Sequence, residues 1–164
     1  MKRVEGATNV VLLECINPIR NRWHLRWDVQ KNGEDGAANY METMFPHRPS
    51  TDEIKSTILG WYNSEVNAKI LSGFVWNNIP VWLSQENQSN FKATYDLAYQ
   101  TSGEILPVKF KLGEDLEGNP LYFTFKKMEM LTDFYTKAMK HIQDTLSDGW
   151  EMKDAFNPED YKVE

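Results

Sequence analysis

Arg22-Trp23-His24-Leu25-Arg26-Trp27-Asp28-Val29 alternates strictly, with Trp23, Leu25, Trp27 and Val29 on one face and Arg22, His24, Arg26 and Asp28 on the other. A period of two belongs to a strand with one face buried, so this stretch predicts a half-buried strand with a basic outer face. Lys31-Asn32-Gly33-Glu34-Asp35-Gly36 follows as a turn cluster, and Asn39 to Phe45 again reads as extended, which makes a hairpin ended by Pro46 and Pro49. Ser50 and Glu53 have the capping-box spacing, and Ile54, Ile58, Tyr62 and Val66 recur every four residues with Trp61 alongside. A helix of about five turns, from near residue 51 to near Leu71, is the expectation.

The same order then repeats twice. Gly73 breaks the helix, and Phe74-Val75-Trp76, the turn Asn77-Asn78-Ile79-Pro80 and Val81-Trp82-Leu83 read as a second hairpin. Ser84 caps a second helix through Phe91, Tyr95 and Ala98 to about Thr101, closed by Ser102-Gly103. Pro107 to Leu112, a turn from Gly113 to Pro120, and Leu121 to Lys126 form a third hairpin. The last helix spans about Met128 to Ser147, presents Leu131, Phe134, Tyr135, Ala138, Ile142 and Leu146, and is stopped by Gly149. The expected fold is α+β: three successive β-hairpin plus helix units whose antiparallel strands are covered by helices. One domain, 1–164, is expected, comprising an N-terminal hairpin and helix (1–72), a second region (73–150) and a loosely docked acidic tail (151–164).

Composition narrows the function classes. The 164 residues are 41% apolar and 26% charged, with 6 Trp, 7 Tyr and 8 Phe, a balance that excludes disorder and a collagen-like chain. The longest apolar run near the start, Val10 to Leu13, falls far short of the roughly 18 residues of a membrane span. The net charge of −6 lies wholly in the half after Trp82, and all five Arg lie at or before Arg48. Such a chain has no general attraction for phosphate backbones or anionic lipid, so neither a nucleic acid nor a membrane is expected as partner. The single Cys15 cannot close an intrachain disulfide and reads as an inert, half-buried thiol. Glu5 and Glu14 interrupt the start where a signal peptide would need apolar or small residues, and an unprocessed chain, cytoplasmic in its producing cell, is expected.

No constellation spells out catalysis. His24, His47 and His141 fall on a strand, a loop and a helix without a zinc-ligand spacing, and no Gly-rich phosphate loop or nucleophile elbow follows a predicted strand. Glu114, Asp115 and Glu117 with Gly118-Asn119 read as a solvated hairpin tip rather than a calcium loop, because Pro120 and a strand occupy the positions of the remaining ligands. Neither a metal nor a cofactor is expected. Arg20, Arg22 and Arg26 beside Trp23 and Trp27 do not make a nucleic-acid platform, because alternation sends Arg22 and Arg26 to the face opposite the tryptophans. The cluster of Trp61, Phe74, Trp76 and Trp82 reads mainly as core, with some of it available as a contact surface. In Ser84 to Asn90, the hydroxyl and the amides of Gln85, Asn87, Gln88 and Asn90 are suited to hold hairpin to helix, and Glu86 suits the positive helix end.

Val81-Trp82-Leu83-Ser84-Gln85-Glu86-Asn87-Gln88-Ser89-Asn90, followed later by Asp133-Phe134-Tyr135, resembles an uncharacterised domain family of tailed bacteriophages and gut-bacterial prophages marked by Trp-Leu-Ser and then Glu-Asn-Gln. The likeness runs from Lys69 to Trp150, about half the chain. It implies a non-enzymatic accessory protein, a tail-associated component or a tail-fibre assembly helper, whose partner is a phage structural or fibre protein. It brings no catalytic residue with it. Contact residues are expected among Trp76, Trp82, Gln85, Glu86, Asn87, Gln88 and Asn90. The alternative from a different class is a small-molecule or carbohydrate binding module using exposed aromatics and amides, with a hydrolase as a distant third.

Overall fold

The alternation at Arg22–Val29 does build a strand, and it sits inside a larger sheet. In the computed structural model, which describes residues 1–33 and 36–163, four strands pair antiparallel in the order β1-β4-β3-β2: β1 (Lys2–Ala7), β2 (Leu13–Asn17), β3 (Arg22–Lys31) and β4 (Ala37–Phe45). Glu34 and Asp35 of the expected turn cluster lie outside the described residues. Trp23, Leu25 and Trp27 are buried, and Trp27 meets Trp61 edge-on at 6.0 Å. Val29 breaks the expected pattern and is exposed, because Asp28 adopts a positive φ of 51° and the register with β4 shifts between Trp27 and Gln30. The bulge turns the last residues of β3 off the buried face. The basic outer face is also corrected, since Arg26 is buried.

β1 and β2 carry little pattern of their own. β1 has one half-buried residue among six, which leaves no alternation to read, and it is held by pairing with β4. Gly6 has a structural reason: a Cβ there would come within 2.7 Å of the Tyr40 ring, which lies across the strand.

α1 (Thr51–Ser72) matches the expected helix. Its start is a reciprocal capping box, in which the Ser50 amide donates to Glu53 Oε2 at 2.8 Å and the Glu53 amide donates to Ser50 Oγ at 3.3 Å. The Ser50 amide, His47 and the Ser50 hydroxyl together draw the Glu53 carboxyl down to about 2.

Packing divides the chain into two compact units, the first comprising Met1–Trp61 and the chain from Lys153 on, the second Tyr62–Met152. The boundaries thus fall inside α1 and near the end of α3 (Met128–Asp154). The acidic end is not a loose tail. It forms a 3-10 turn at Pro158–Tyr161, stacks Phe156 on Tyr161 at 5.8 Å, and accepts a hydrogen bond from Arg48 at the Val163 carbonyl. Two aromatic rings and a backbone acceptor give this acidic stretch something to pack with.

The second unit holds the other two hairpins, β5 (Phe74–Trp76) with β6 (Ile79–Val81), and β7 (Val108–Glu114) with β8 (Pro120–Phe125), together with α2 (Gln85–Gln100) and α3. Asn77 and Asn78, with φ of 49° and 61°, make the two-residue turn between β5 and β6, conformations that asparagine tolerates. The core is aromatic: Phe134 lies 5.0 to 5.3 Å from Phe91, Phe125 and Trp76. The hairpins do not merge into one ladder, but β6 and β7 adjoin where the Trp82 amide donates to the Leu112 carbonyl at 2.7 Å.

α3 runs through Gly149 instead of stopping there, which corrects the expected end at Ser147. Gly149 is buried, and a Cβ on it would lie 2.4 Å from Val66 Cγ2 of α1. The glycine therefore serves close helix packing, at a cost of about 1 kcal/mol in helix propensity. The order β3-β4-α1, β5-β6-α2, β7-β8-α3 gives the expected α+β fold, preceded by β1 and β2.

Candidate functional site

The amide-rich segment folds back on its own hairpin. Ser84 Oγ accepts the Asn87 amide at 3.2 Å and caps α2. Asn87 Nδ2 then donates to the Trp82 carbonyl at 2.8 Å, and Gln88 Nε2 to the Leu83 carbonyl at 2.6 Å. These bonds occupy backbone acceptors at the strand-to-helix corner, where no ladder partner is available. Asn87 and Gln88 are half-buried, whereas Gln85, Glu86 and Asn90 are exposed.

The candidate contact residues do not converge on one place. Trp76 is 2% exposed and belongs to the core, where Phe123, Phe125 and Phe134 surround it and its Nε1 donates to Asp133 Oδ2 at 2.9 Å. It is unavailable to a partner, because burial beside β8 and α3 outcompetes exposure for so large an apolar ring. Lys137 and then Trp76 hold the Asp133 carboxyl below the ordinary range. Of the neighbours in Asp133-Phe134-Tyr135, Phe134 fills the core and Tyr135 stacks on Tyr95 at 4.5 Å. Gln85 and Gln88 instead line a groove of about 400 Å³ with Asn67, Ser84, Leu83 and Ile142. Trp82 and Asn87 line a smaller groove of about 220 Å³ with Ser84, Lys111, Leu112 and Gly113.

Trp82 is the residue that opens outward. It is 41% exposed, as are Val75 at 59% and Tyr122 at 54%. On the paired strands, Lys111 stands opposite Tyr122, and Lys109 opposite Thr124. Lys109 Nζ lies 4.3 Å from the Tyr122 ring centre, and Lys111 Nζ lies 5.8 Å from that of Trp82 while pairing with Glu114 at 2.7 Å. Each aromatic ring thus carries a cation over it. The opposite side chains, Leu112 and Phe125, are fully buried. β5 to β8 therefore present one face to the aromatic core and the other, with Val75, Trp82, Tyr122, Lys109 and Lys111, to solvent. Neither Tyr122 nor the lysines were singled out from the sequence, although Lys109-Phe110-Lys111 and Tyr122-Phe123-Thr124 carry the alternation that announces them.

A second polar cluster lies in the first unit, again among residues that alternation had sent to solvent. Arg26 Nε donates to Glu42 Oε2 at 2.8 Å, and its Nη1 donates to Glu14 Oε2 at 2.7 Å and to the Val11 carbonyl at 2.9 Å. His24 Nδ1 stands 2.9 Å from the same Glu42 oxygen. Burial would raise the Glu42 carboxyl, but the Arg26 hydrogen bond and the His24 charge outweigh it and hold it below the ordinary range. Burial would likewise lower Arg26, and its bonds to Glu42 and Glu14 outweigh that and raise it. So well satisfied a guanidinium is a brace of the sheet.

His47 pairs with Glu53, and His141 Nε2 lies 3.0 Å from the Lys69 carbonyl. Among the described residues, no group of three or more His, Cys, Asp or Glu is placed to hold a metal ion, and no helix is long and apolar enough to cross a membrane. At the β7–β8 tip, Asp115 Oδ1 accepts the amides of Glu117 and Asn119 at 2.9 and 2.8 Å, and Oδ2 accepts the Asn119 side chain. The Asn119 side chain and amide lead in drawing the Asp115 carboxyl down, so this carboxylate serves its own turn. No family model, curated protein or solved structure matches the chain.

Proposed function

We propose that this chain is a non-enzymatic accessory protein of a tailed phage or prophage, a tail-associated component or fibre-assembly helper that works through protein contacts. The observation that carries the reading is the solvent-facing Trp82 and Tyr122 on one strand face, with Val75 beside them in exposure. Exposed Trp and Tyr are the residues that anchor protein interfaces, since each brings a large apolar area at little rotamer cost. The resemblance at Val81–Asn90 and Asp133–Tyr135 supports the phage context. A carbohydrate module remains the second reading, favoured by the same Trp82 beside the Asn87 amide in the smaller groove.

The experiment is co-sedimentation of the tagged full chain with purified virions from the strain that encodes it, with cross-linking and identification of the bound subunit. A tail or fibre subunit cross-linked to the native chain, and lost with Trp82→Ala/Tyr122→Ala, is the expected result. Absence of any virion contact together with saturable binding of a neutral oligosaccharide would replace this reading with the carbohydrate one.

A further inference from the structure

We infer that the outer face of β5 to β8 docks an acidic, extended protein segment that also carries apolar side chains, an inference that rests on the protein-contact reading. The charge of the second unit makes this face unusual. That unit holds eight Lys, no Arg, and twelve Asp and Glu. Five of the eight Lys are neutralised within the unit: Lys69 by Asp148, Lys92 by Asp96, Lys111 by Glu114, Lys137 by Asp133 and Lys140 by Asp144. Lys109 is not among them. It rests on the Tyr122 ring, and a cation over an aromatic face keeps its charge available to an incoming carboxylate. Lys126, exposed and also outside these pairs, continues the alternation of Tyr122 and Thr124 just past the end of β8. Among the described residues, Lys109, on the strand face of the exposed Tyr122, and Lys126, one residue past the end of β8, thus lack a carboxylate partner on a unit that is otherwise acidic.

Geometry sets the shape of the occupant. Side chains of an extended segment alternate, so carboxylates directed to Lys109 and Lys126 leave intervening apolar groups to meet Tyr122 and Trp82. The groove of about 220 Å³ beside Trp82, floored by Leu112 and Gly113, takes one such side chain. Gly113 keeps this region closed up, for a Cβ there would lie 2.6 Å from the Pro80 carbonyl oxygen. Single-stranded nucleic acid also stacks on aromatic rings between lysines, but it carries a charge on every nucleotide and needs a track of several cations, whereas five of the unit's eight Lys are already paired with carboxylates.

The test is an amide NMR titration of the labelled full chain with three probes: a capped decapeptide alternating Glu and Leu, its Lys and Leu counterpart, and a ten-nucleotide thymidine strand. The expected result is shifts confined to Val75, Trp82, Lys109, Lys111, Tyr122 and Lys126 with the acidic peptide alone, weakening about fivefold between 50 and 300 mM NaCl as charge pairing is screened. Lys109→Glu/Lys126→Glu should retain its folded spectrum and bind the peptide at least about tenfold more weakly, a loss of roughly 1.4 kcal/mol. Equal binding of the basic peptide, shifts at this face from the thymidine strand, or no shifts from any probe would overturn the inference. The co-sedimentation experiment separates the two claims. If Trp82→Ala/Tyr122→Ala abolishes a cross-linked virion contact while the acidic peptide leaves the face unshifted, the contact reading stands and the acidic occupant falls.

Discussion

The four-stranded sheet of the first unit and the paired hairpins of the second are made from the same hairpin-plus-helix order, yet they are stabilised differently. In the second, every strand pairs with its neighbour in sequence, and the space beneath is filled by rings gathered around Phe134. In the first, β1 must find β4 at thirty residues or more along the chain, and a buried pair, Arg26 and Glu42, joined by the half-buried His24 and the exposed Glu14, stands on one side of the sheet. The difference teaches where each unit is vulnerable. Apolar burial is non-directional and scales with area, whereas a buried charge is tolerated only while all its partners remain.

The sharpest way to break this comparison is in the aromatic core. Phe134→Ala removes a ring with no solvent exposure that several others touch, and it should cost about 3–5 kcal/mol in denaturant unfolding. A loss below about 1 kcal/mol would mean that Phe134 does not hold the ring cluster together. Next comes the ionic cluster. Arg26→Met should cost about 2–4 kcal/mol, because Glu42 is left buried without its cation, and Arg26→Met/Glu42→Leu should recover most of it. If the double variant is no more stable than the single one, the cluster is doing more than cancelling its own charges.

Smaller effects sharpen the contrast. Asn87→Ala should lower stability by about 1 kcal/mol, since the Trp82 carbonyl loses its donor at a corner that water partly reaches. An unchanged denaturation midpoint would remove the amide from the structural role. The capping box of α1 gives the smallest effect, and its sign is fixed by linkage. Glu53 titrates at about 2 when folded, below its ordinary value of 4.5, so its contribution is complete above pH 4.5 and is lost as the pH falls toward 2. Glu53→Gln should flatten that part of the stability profile, read by thermal unfolding from pH 2 to pH 6. A profile unchanged by Glu53→Gln would place the acid sensitivity elsewhere.

What could be read from the residues follows from how local the controlling interactions are. Ser50 with Glu53, Ser84, and Asn77-Asn78 act over two to four residues, and the helix starts and the second turn follow from them. Trp23, Leu25 and Trp27 gave the buried face of β3 by period alone. Val29 and Arg26 did not obey it: one follows a bulge whose presence depends on β4, and the other meets acids on β2 and β4 that no spacing relates to it. At the candidate site, Trp82, Asn87 and Gln88 were legible as a corner where chain direction changes. The burial of Trp76 beside its exposed neighbour Val75 decides which tryptophan a partner can reach.

The sequence by itself therefore determined the α+β class, the order of hairpins and helices, and the capped helix starts, because each rests on short-range periodicity and hydrogen bonding. Only the tertiary structure decided that β1 and β2 complete a sheet, that α3 passes through Gly149 against Val66, and that the acidic end packs through Arg48, Phe156 and Tyr161. It alone also set Tyr122 and Lys109 in line with Trp82 on one open face. The physical reason is common to all of these: strand pairing, close packing and shared faces are made by residues far apart in the chain, and their energies exist only once those residues meet.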